Sequence, residues 1–268
     1  MKKLIALLMT AVMLVGMLAG CTSSGSEASV GSTGTDTSFK TIEKGKLLMA
    51  TNAAFPPYEM TTDDGGFEGI DVEIAQAIAG KLGLTLVIQD MDFDAALLAV
   101  QQGKSDIVMA GVSVTDDRKL VMDFSNSYAT GVQVVIVKEG SDVTMDNLGV
   151  KMIGTQRGTT GYIYASDTPE NGGYGEDHVK AYDNGATAVQ ALINGQVDCV
   201  IIDSAPAQEY VAANSGLTIL EGNWVEEDYA IGFGKNNTAL VEAVNAALAE
   251  LIADGTVQSI IDKYINAN

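Results

Sequence analysis

The sequence predicts an α/β fold of two lobes, each built on a parallel-rich sheet, with a two-strand hinge and a cleft between them. Three observations carry this. First, one helix–turn–strand unit is written twice: residues 96–109 read ALLAVQQGKSDIVM and residues 188–201 read AVQALINGQVDCVI, aligned without a gap at an offset of 92 with five identities in fourteen positions. Self-similarity at a fixed spacing is an architectural signal. Second, strand-like and helix-like patterns alternate around each copy, the order that gives a parallel sheet with both faces covered. Third, two β-prone runs near 128–138 and 228–233 separate the blocks. Paired connectors make a natural hinge.

Lys2 and Lys3 precede an uncharged apolar run over residues 4–18, and small residues close it. This is a secretory signal, too short and wrongly flanked to span a membrane. It ends Leu18-Ala19-Gly20-Cys21, which resembles a bacterial lipoprotein signal, so residues 1–20 are expected to be removed and Cys21 lipidated. A diacylated cysteine supplies the two chains that stable anchoring needs. Residues 21–40 are rich in Ser, Gly, Thr and acids and carry too little apolar surface to fold; they form a flexible tether.

The folded part begins with a strand at 47–51. Asp71 opens a helix as its N-cap, with Ile74, Ile78 and Leu82 on one face and Gly83 at its end. A strand at 84–89, a helix at 95–102 and a strand at 107–110 come next; Thr115 then caps a short helix. After the first β-prone run the order restarts with strands at 150–155, 178–182 and 197–202 and helices from Thr160, over 186–194 and from Ala205. The chain closes with an amphipathic helix carrying Leu240, Val244, Leu248 and Leu251, ended by Gly255, and a final helix with Ile260, Ile261 and Tyr264. The expected division is therefore a first lobe over 41–127, hinge strands at 128–134 and 226–231, a second lobe over 135–225, and a return to the first lobe over 232–268.

Composition excludes several functions. The chain carries 15 Lys+Arg against 35 Asp+Glu, a formal charge of −20, which argues against binding nucleic acid. Once Cys21 carries lipid only Cys199 remains, inside an apolar strand, so no disulfide framework is expected. A single histidine, His178, and the lack of a Cys/His cluster argue against zinc, and no metal or other cofactor is expected. The usual histidine general base is nearly excluded as well.

Chemistry belongs beyond the carboxyl ends of parallel strands. There the two copies of the repeat diverge. The first continues into Gly111, Ser113 and Arg118; the second into Asp203. If the lobes face each other, a guanidinium and a carboxylate line opposite walls. That pair suits a zwitterion, with the arginine gripping a carboxylate bidentately. Arg118 equally fits a solvated first-turn charge, and Asp203 a helix N-cap. Gly158-Thr159-Thr160-Gly161 follows a strand and opens a helix, where an anion is favoured, though a plain strand–helix turn has the same pattern. Phe55, in a proline-stiffened loop, and Phe93, in the loop after the next strand, are core residues or a pair that sandwiches a side chain.

Segments 50–59 (ATNAAFPPYE), 66–75 (GFEGIDVEIA), 91–107, 110–129, 154–161 (GTQRGTTG) and 183–203, taken together in this order, resemble the amino-acid-binding proteins of ABC importers, extracellular solute-binding family 3. The resemblance covers about 45–264. It implies a periplasmic-binding-protein type II fold whose two lobes close on a free L-amino acid, polar or cationic, for delivery to the permease subunits of an ABC transporter. By the same resemblance Arg118 grips the α-carboxylate, Gly111 and Ser113 touch the α-carboxylate and α-ammonium, and Thr160 contacts the carboxylate. Asp203 holds the ammonium, Phe55 and Phe93 form aromatic walls, and Asn52 and Gln156 reach the side chain. Asn52 departs from relatives that carry Asp there. The expected product is a monomeric, lipid-anchored receptor on the outer face of the cell membrane. The alternative on this fold is a dehydratase of the cyclohexadienyl type, acting on prephenate or arogenate.

Overall fold

The computed structural model describes residues 39–265. The signal at 1–20, Cys21 and the tether up to residue 38 lie outside the described residues. The chain enters at β1 (Lys46–Thr51), then forms a small antiparallel sheet from β2 (Ala54–Phe55), β3 (Glu59–Thr61) and β4 (Phe67–Glu68). Helix α1 (Ile70–Lys81), strand β5 (Thr85–Asp90), helix α2 (Phe93–Gln101), strand β6 (Ile107–Val108) and helix α3 (Asp116–Val121) complete the first αβ block. The long β7 (Met122–Lys138) leads to β8 (Ile153–Gln156), α4 (Thr160–Ser166), β9 (Val179–Tyr182), α5 (Gly185–Ile193), β10 (Cys199–Asp203) and α6 (Ser204–Ala213). Strands β11 (Leu217–Ile219) and β12 (Val225–Gly234) and helices α7 (Thr238–Ala253) and α8 (Thr256–Ile265) end the described chain.

The strand order is β5-β1-β6-β12-β7-β10-β8-β9, with β11 beside β7. Both ends of the order are parallel: β5-β1-β6 in the first block, β10-β8-β9 in the second. Between them β12 and β7 pair antiparallel over their length, from Val225 opposite Gln133 to Gly234 opposite Met122. The two parallel portions are thus joined into one mixed sheet, because the β-prone runs do more than cross between blocks. They pair with each other and with a strand of each block. β7 also begins six residues before the expected run, at Met122.

The repeat is the same device in both halves. In each copy a glycine with positive φ ends the helix, Gly103 at 66° and Gly195 at 71°. The next aspartate then clamps the neighbouring parallel strand. Asp106 accepts from Leu48 N–H at 2.8 Å, and Asp198 from Met152 N–H at 2.7 Å. Each of these aspartates also donates its own N–H back, to Leu48 O at 2.8 Å and Met152 O at 2.7 Å. This reciprocal pair sets the register of the strand that carries functional groups at its far end.

One apolar cluster joins Leu47, Ile74, Ile78, Ile107 and Met109 to Phe233, Leu240, Val244 and Leu248. The C-terminal helices therefore pack on α1, fastened by Lys81–Glu250 at 2.9 Å and by Tyr264 donating to Glu73 at 2.6 Å. Two expectations change locally. Asp71 is not an N-cap: Gly69 occupies that position and Asp71 lies in the first helical turn, fully buried. Phe93 is not in a loop but is the first residue of α2.

Where β7 faces β12, Gly131 meets the ring of Tyr229. A Cβ built at 131 lies 2.4 Å from Tyr229 Cε1 and Cζ, and Tyr229 is completely buried. Gly131→Ala is expected to destabilise the fold by about 1–3 kcal/mol through overpacking. Thermal unfolding measures this, and an unchanged Tm contradicts the tight approach.

Candidate functional site

All nine residues expected at a ligand site line one narrow cavity. They arrive from both halves of the sheet. Asn52 follows β1, Phe55 lies in β2, Phe93 starts α2, Gly111 and Ser113 follow β6, and Arg118 lies in α3. Gln156 ends β8, Thr160 opens α4 and Asp203 ends β10. Glu59, Ala110 and Thr159 complete the wall. The site is where open α/β sheets place ligands, beyond the carboxyl ends of parallel strands.

Arg118 is 7% exposed and so is not a solvated surface charge. Thr115 caps the helix that carries it, accepting from Arg118 N–H at 3.2 Å. The guanidinium donates to Ser113 O at 2.8 Å and to Gly158 O at 3.0 Å, one carbonyl from each half. It also lies over the Phe93 ring, 5.5 Å from the centroid. Two further bonds cross between the halves: Gln156 Nε2 donates to Asn52 Oδ1 at 2.9 Å, and Tyr210 OH to Ala54 O at 3.1 Å. Asn52 also donates to Met91 O at 3.0 Å. Its amide is therefore occupied at both ends, which an aspartate at this position would not be.

Asp203 stands at the N-cap of α6 but makes no capping bond. Its carboxyl instead accepts from Gln133 Nε2 at 2.8 Å and from Tyr229 OH. Burial lifts its pKa to about 7; the Tyr229 and Gln133 bonds oppose the rise, and the nearby Glu227 adds to it. Asp71 behaves similarly. It accepts from Gly111 N–H at 2.9 Å and Tyr128 OH at 2.7 Å, and burial lifts it to about 6. Gly111 has φ +54°, and a Cβ there would come within 2.8 Å of the Phe55 ring, so glycine is required at this wall.

Glu59 was missed by sequence reasoning. It is completely buried, no donor reaches either carboxyl oxygen, and the carboxyl of Asp71 is its strongest charged neighbour. Two carboxyls in contact need a shared proton, and burial plus the charges of Asp71, Asp203 and Asp90 push Glu59 well above the carboxylate range. Glu227, Gln133 and Tyr229 were missed too; all three lie on the connectors. The signal was short: from Glu226 to Tyr229 exposed and buried positions alternate, with the glutamate at 227 on the buried side, and from Tyr229 to Phe233 every position is buried. A period-2 pattern read for type alone passes over that glutamate.

Residues 47–267 match the model of bacterial extracellular solute-binding proteins, family 3. The chain is 31% identical over 233 residues to the L-cystine-binding protein TcyJ of Escherichia coli (strain K12), spanning 85% of this chain and 86% of that protein. It is 30% identical over 270 residues to the arginine-binding extracellular protein ArtP of Bacillus subtilis (strain 168), spanning 98% of both. Among solved structures it superposes on an ancestral arginine-binding protein bound to glutamine with TM-score 0.76 at 37% identity, covering 83% of this chain and 98% of that one. The arginine-, lysine-, histidine-binding protein ArtJ of Geobacillus stearothermophilus gives TM-score 0.77 at 33% identity, covering 83% and 96%.

The raised carboxyl of Asp203 has a sign that can be checked. Between its ordinary pKa of 3.8 and about 7 the folded state binds the proton that the unfolded state has lost, so this group's contribution to stability is lost as pH rises through that window. Asp203→Asn is therefore expected to raise Tm relative to the parent at pH 8 and to leave it near the parent at pH 4. A Tm difference that stays constant across the window contradicts the burial cost.

Proposed function

The chain belongs to the bacterial extracellular solute-binding proteins of family 3, and from that premise we propose that it captures a free L-amino acid and delivers it to the permease of an ABC transporter. The observation that carries this is the placing of Arg118 and Asp203, both buried, from opposite halves of the sheet on one cavity. A guanidinium holds an α-carboxylate and a carboxylate holds an α-ammonium, so the two ends of a zwitterion are met at once. Only a ligand that bridges the halves touches both, which favours the arrangement in which they meet. The expected two lobes and the hinge at 128–134 and 226–231 fit this reading, with β7 and β12 as the only strands running through both halves among the described residues.

A cationic side chain is favoured over a neutral one. Beyond Asp203, the cavity wall holds Glu59 backed by Asp71, while its one guanidinium is engaged by backbone carbonyls. The Glu59–Asp71 pair is held from full ionisation by burial and mutual repulsion, and a ligand ammonium or guanidinium beside it supplies the charge that lets both carboxyls ionise. Phe55 and Phe93 flank the same space. Anchoring through lipid at Cys21 would hold the protein, as a monomer, on the outer face of the membrane beside its permease.

The raised carboxyls Glu59 and Asp203 are also groups that an acid–base dehydratase employs; incubation with prephenate that yields no product removes that reading. For the binding function, Arg118→Ala and Asp203→Ala are each expected to weaken amino-acid binding about 100-fold, from two charge-assisted bonds of about 1.5 kcal/mol or more apiece, while the protein stays folded. Calorimetry across a panel of amino acids with cystine and ornithine reads this out, and wild-type affinity in either variant sinks the assignment. Glu59→Gln should cost arginine or ornithine more affinity than glutamine; equal losses would remove the cationic preference.

A further inference from the structure

Glu227 lies on β12, outside the lining of the cavity, and is buried. Its two carboxyl oxygens collect four donors from three segments, α4, β7 and the loop after β6. Oε2 accepts from Thr160 Oγ1 at 2.6 Å, Ser113 Oγ at 3.1 Å and Gln133 Nε2 at 3.4 Å. Oε1 accepts from Tyr164 OH at 3.1 Å. Ser113 comes from the first half of the sheet, Thr160 and Tyr164 from the second, and Gln133 from the other connector. Gln133 also donates to Asp203, so the ammonium-side acid and Glu227 share one amide.

A hydroxyl has one hydrogen to give. A carboxylate that takes that hydrogen leaves the hydroxyl only lone pairs for anything on its other side. Ser113 and Thr160 both line the cavity, and their oxygens lie 3.5 Å apart. We propose that Glu227 is a positioning residue of the binding site: by accepting the hydroxyl hydrogens of Ser113 and Thr160 it fixes both oxygens as acceptors toward the cavity, so that they receive N–H groups of the ligand's α-ammonium together with Asp203. The carboxylate of the ligand is then left to Arg118 and to main-chain N–H groups. This rests on the amino-acid reading and deepens it, because it assigns the ammonium preference to a residue that does not touch the ligand. It also ties that preference to a connector strand and to both halves at once.

The test is binding of L-arginine, with L-glutamine and L-cystine in parallel, to the wild type and to Glu227→Leu. Both hydroxyls meet the same carboxyl oxygen, so an amide could still accept from them, whereas leucine offers no acceptor and frees a hydroxyl hydrogen to turn into the cavity. Kd for the bound amino acid is expected to rise about 10-fold, the worth of about one hydrogen bond. Discrimination against the analogue bearing a 2-hydroxyl in place of the ammonium should narrow by a similar factor, a change that mere loosening of the fold does not produce. In a Ser113→Ala/Thr160→Val background the same substitution should add no further loss. Should Glu227→Leu fail to fold, Glu227→Asp, which keeps the acid but shortens its reach, carries the same expectations. Wild-type affinity and discrimination in a folded variant, or a fully additive loss, overturns the role of Glu227. A wild type that binds none of the three amino acids overturns the amino-acid reading and this inference with it.

Discussion

Arg118 is held out of water by two carbonyl oxygens, Ser113 O from one half of the sheet and Gly158 O from the other. Burial disfavours its charged form, and the surrounding acidic and phenolic groups, Glu227 first among them, favour it. A buried charge is tolerable only where it is paired and hydrogen-bonded. The guanidinium therefore demands a polar interior on both sides of it, and the rest of the site supplies one. Its five donors exceed the two carbonyls that meet them, which leaves capacity for an anionic group in the same cavity. The same side chain thus bonds the halves to each other and keeps donors to spare beside the cavity they line.

That polar interior is organised by the connectors. Tyr229 donates to Asp203, Gln133 donates to Asp203 and Glu227, and Glu227 gathers Ser113, Thr160 and Tyr164. Gln133 lies on β7, and Glu227 and Tyr229 on β12. Chains of hydrogen bonds in a low-dielectric interior strengthen one another, and an unmet member is correspondingly costly. A shift of either connector would disturb several of these bonds together. This couples the geometry of the strands that run between the halves to the polarity of the cavity wall, without any moving loop.

The fold was legible because it rests on local regularities. Glycines ended helices where positive φ was needed, apolar runs made the parallel strands, and the repeat exposed the two-block plan. Boundaries moved by a few residues, and β2, β3, β4 and β11 were not foreseen, since strands of two or three residues have no period to detect. Asp71 looked like a cap because an acid opens a helical pattern there; its side chain is instead drawn inward by Gly111 N–H and Tyr128 OH, partners 40 and 57 residues away. The cavity residues on strand ends were legible from position and from family resemblance. Glu59, Gln133, Glu227 and Tyr229 were not, because each owes its role to burial against distant acids or hydroxyls. Beyond the short alternation that turns Glu227 inward, no spacing within the sequence encodes those partners.

The repeat shows where the two halves were free to differ. Asp106 and Asp198 make the same reciprocal bonds to Leu48 and Met152, so the start of each central strand is fixed alike. A parallel strand whose start is fixed has its end fixed too, within the reach of a few residues. The residues beyond each strand end are not constrained by that clamp. After Val108 the chain turns through Gly111 toward Ser113 and Arg118; after Ile202 it presents Asp203 and enters a helix at once. Similar scaffolding thus delivers a cationic wall and an acidic wall to one cavity, and the polarity of the site arises from the divergence of two strand ends rather than from the fold they share.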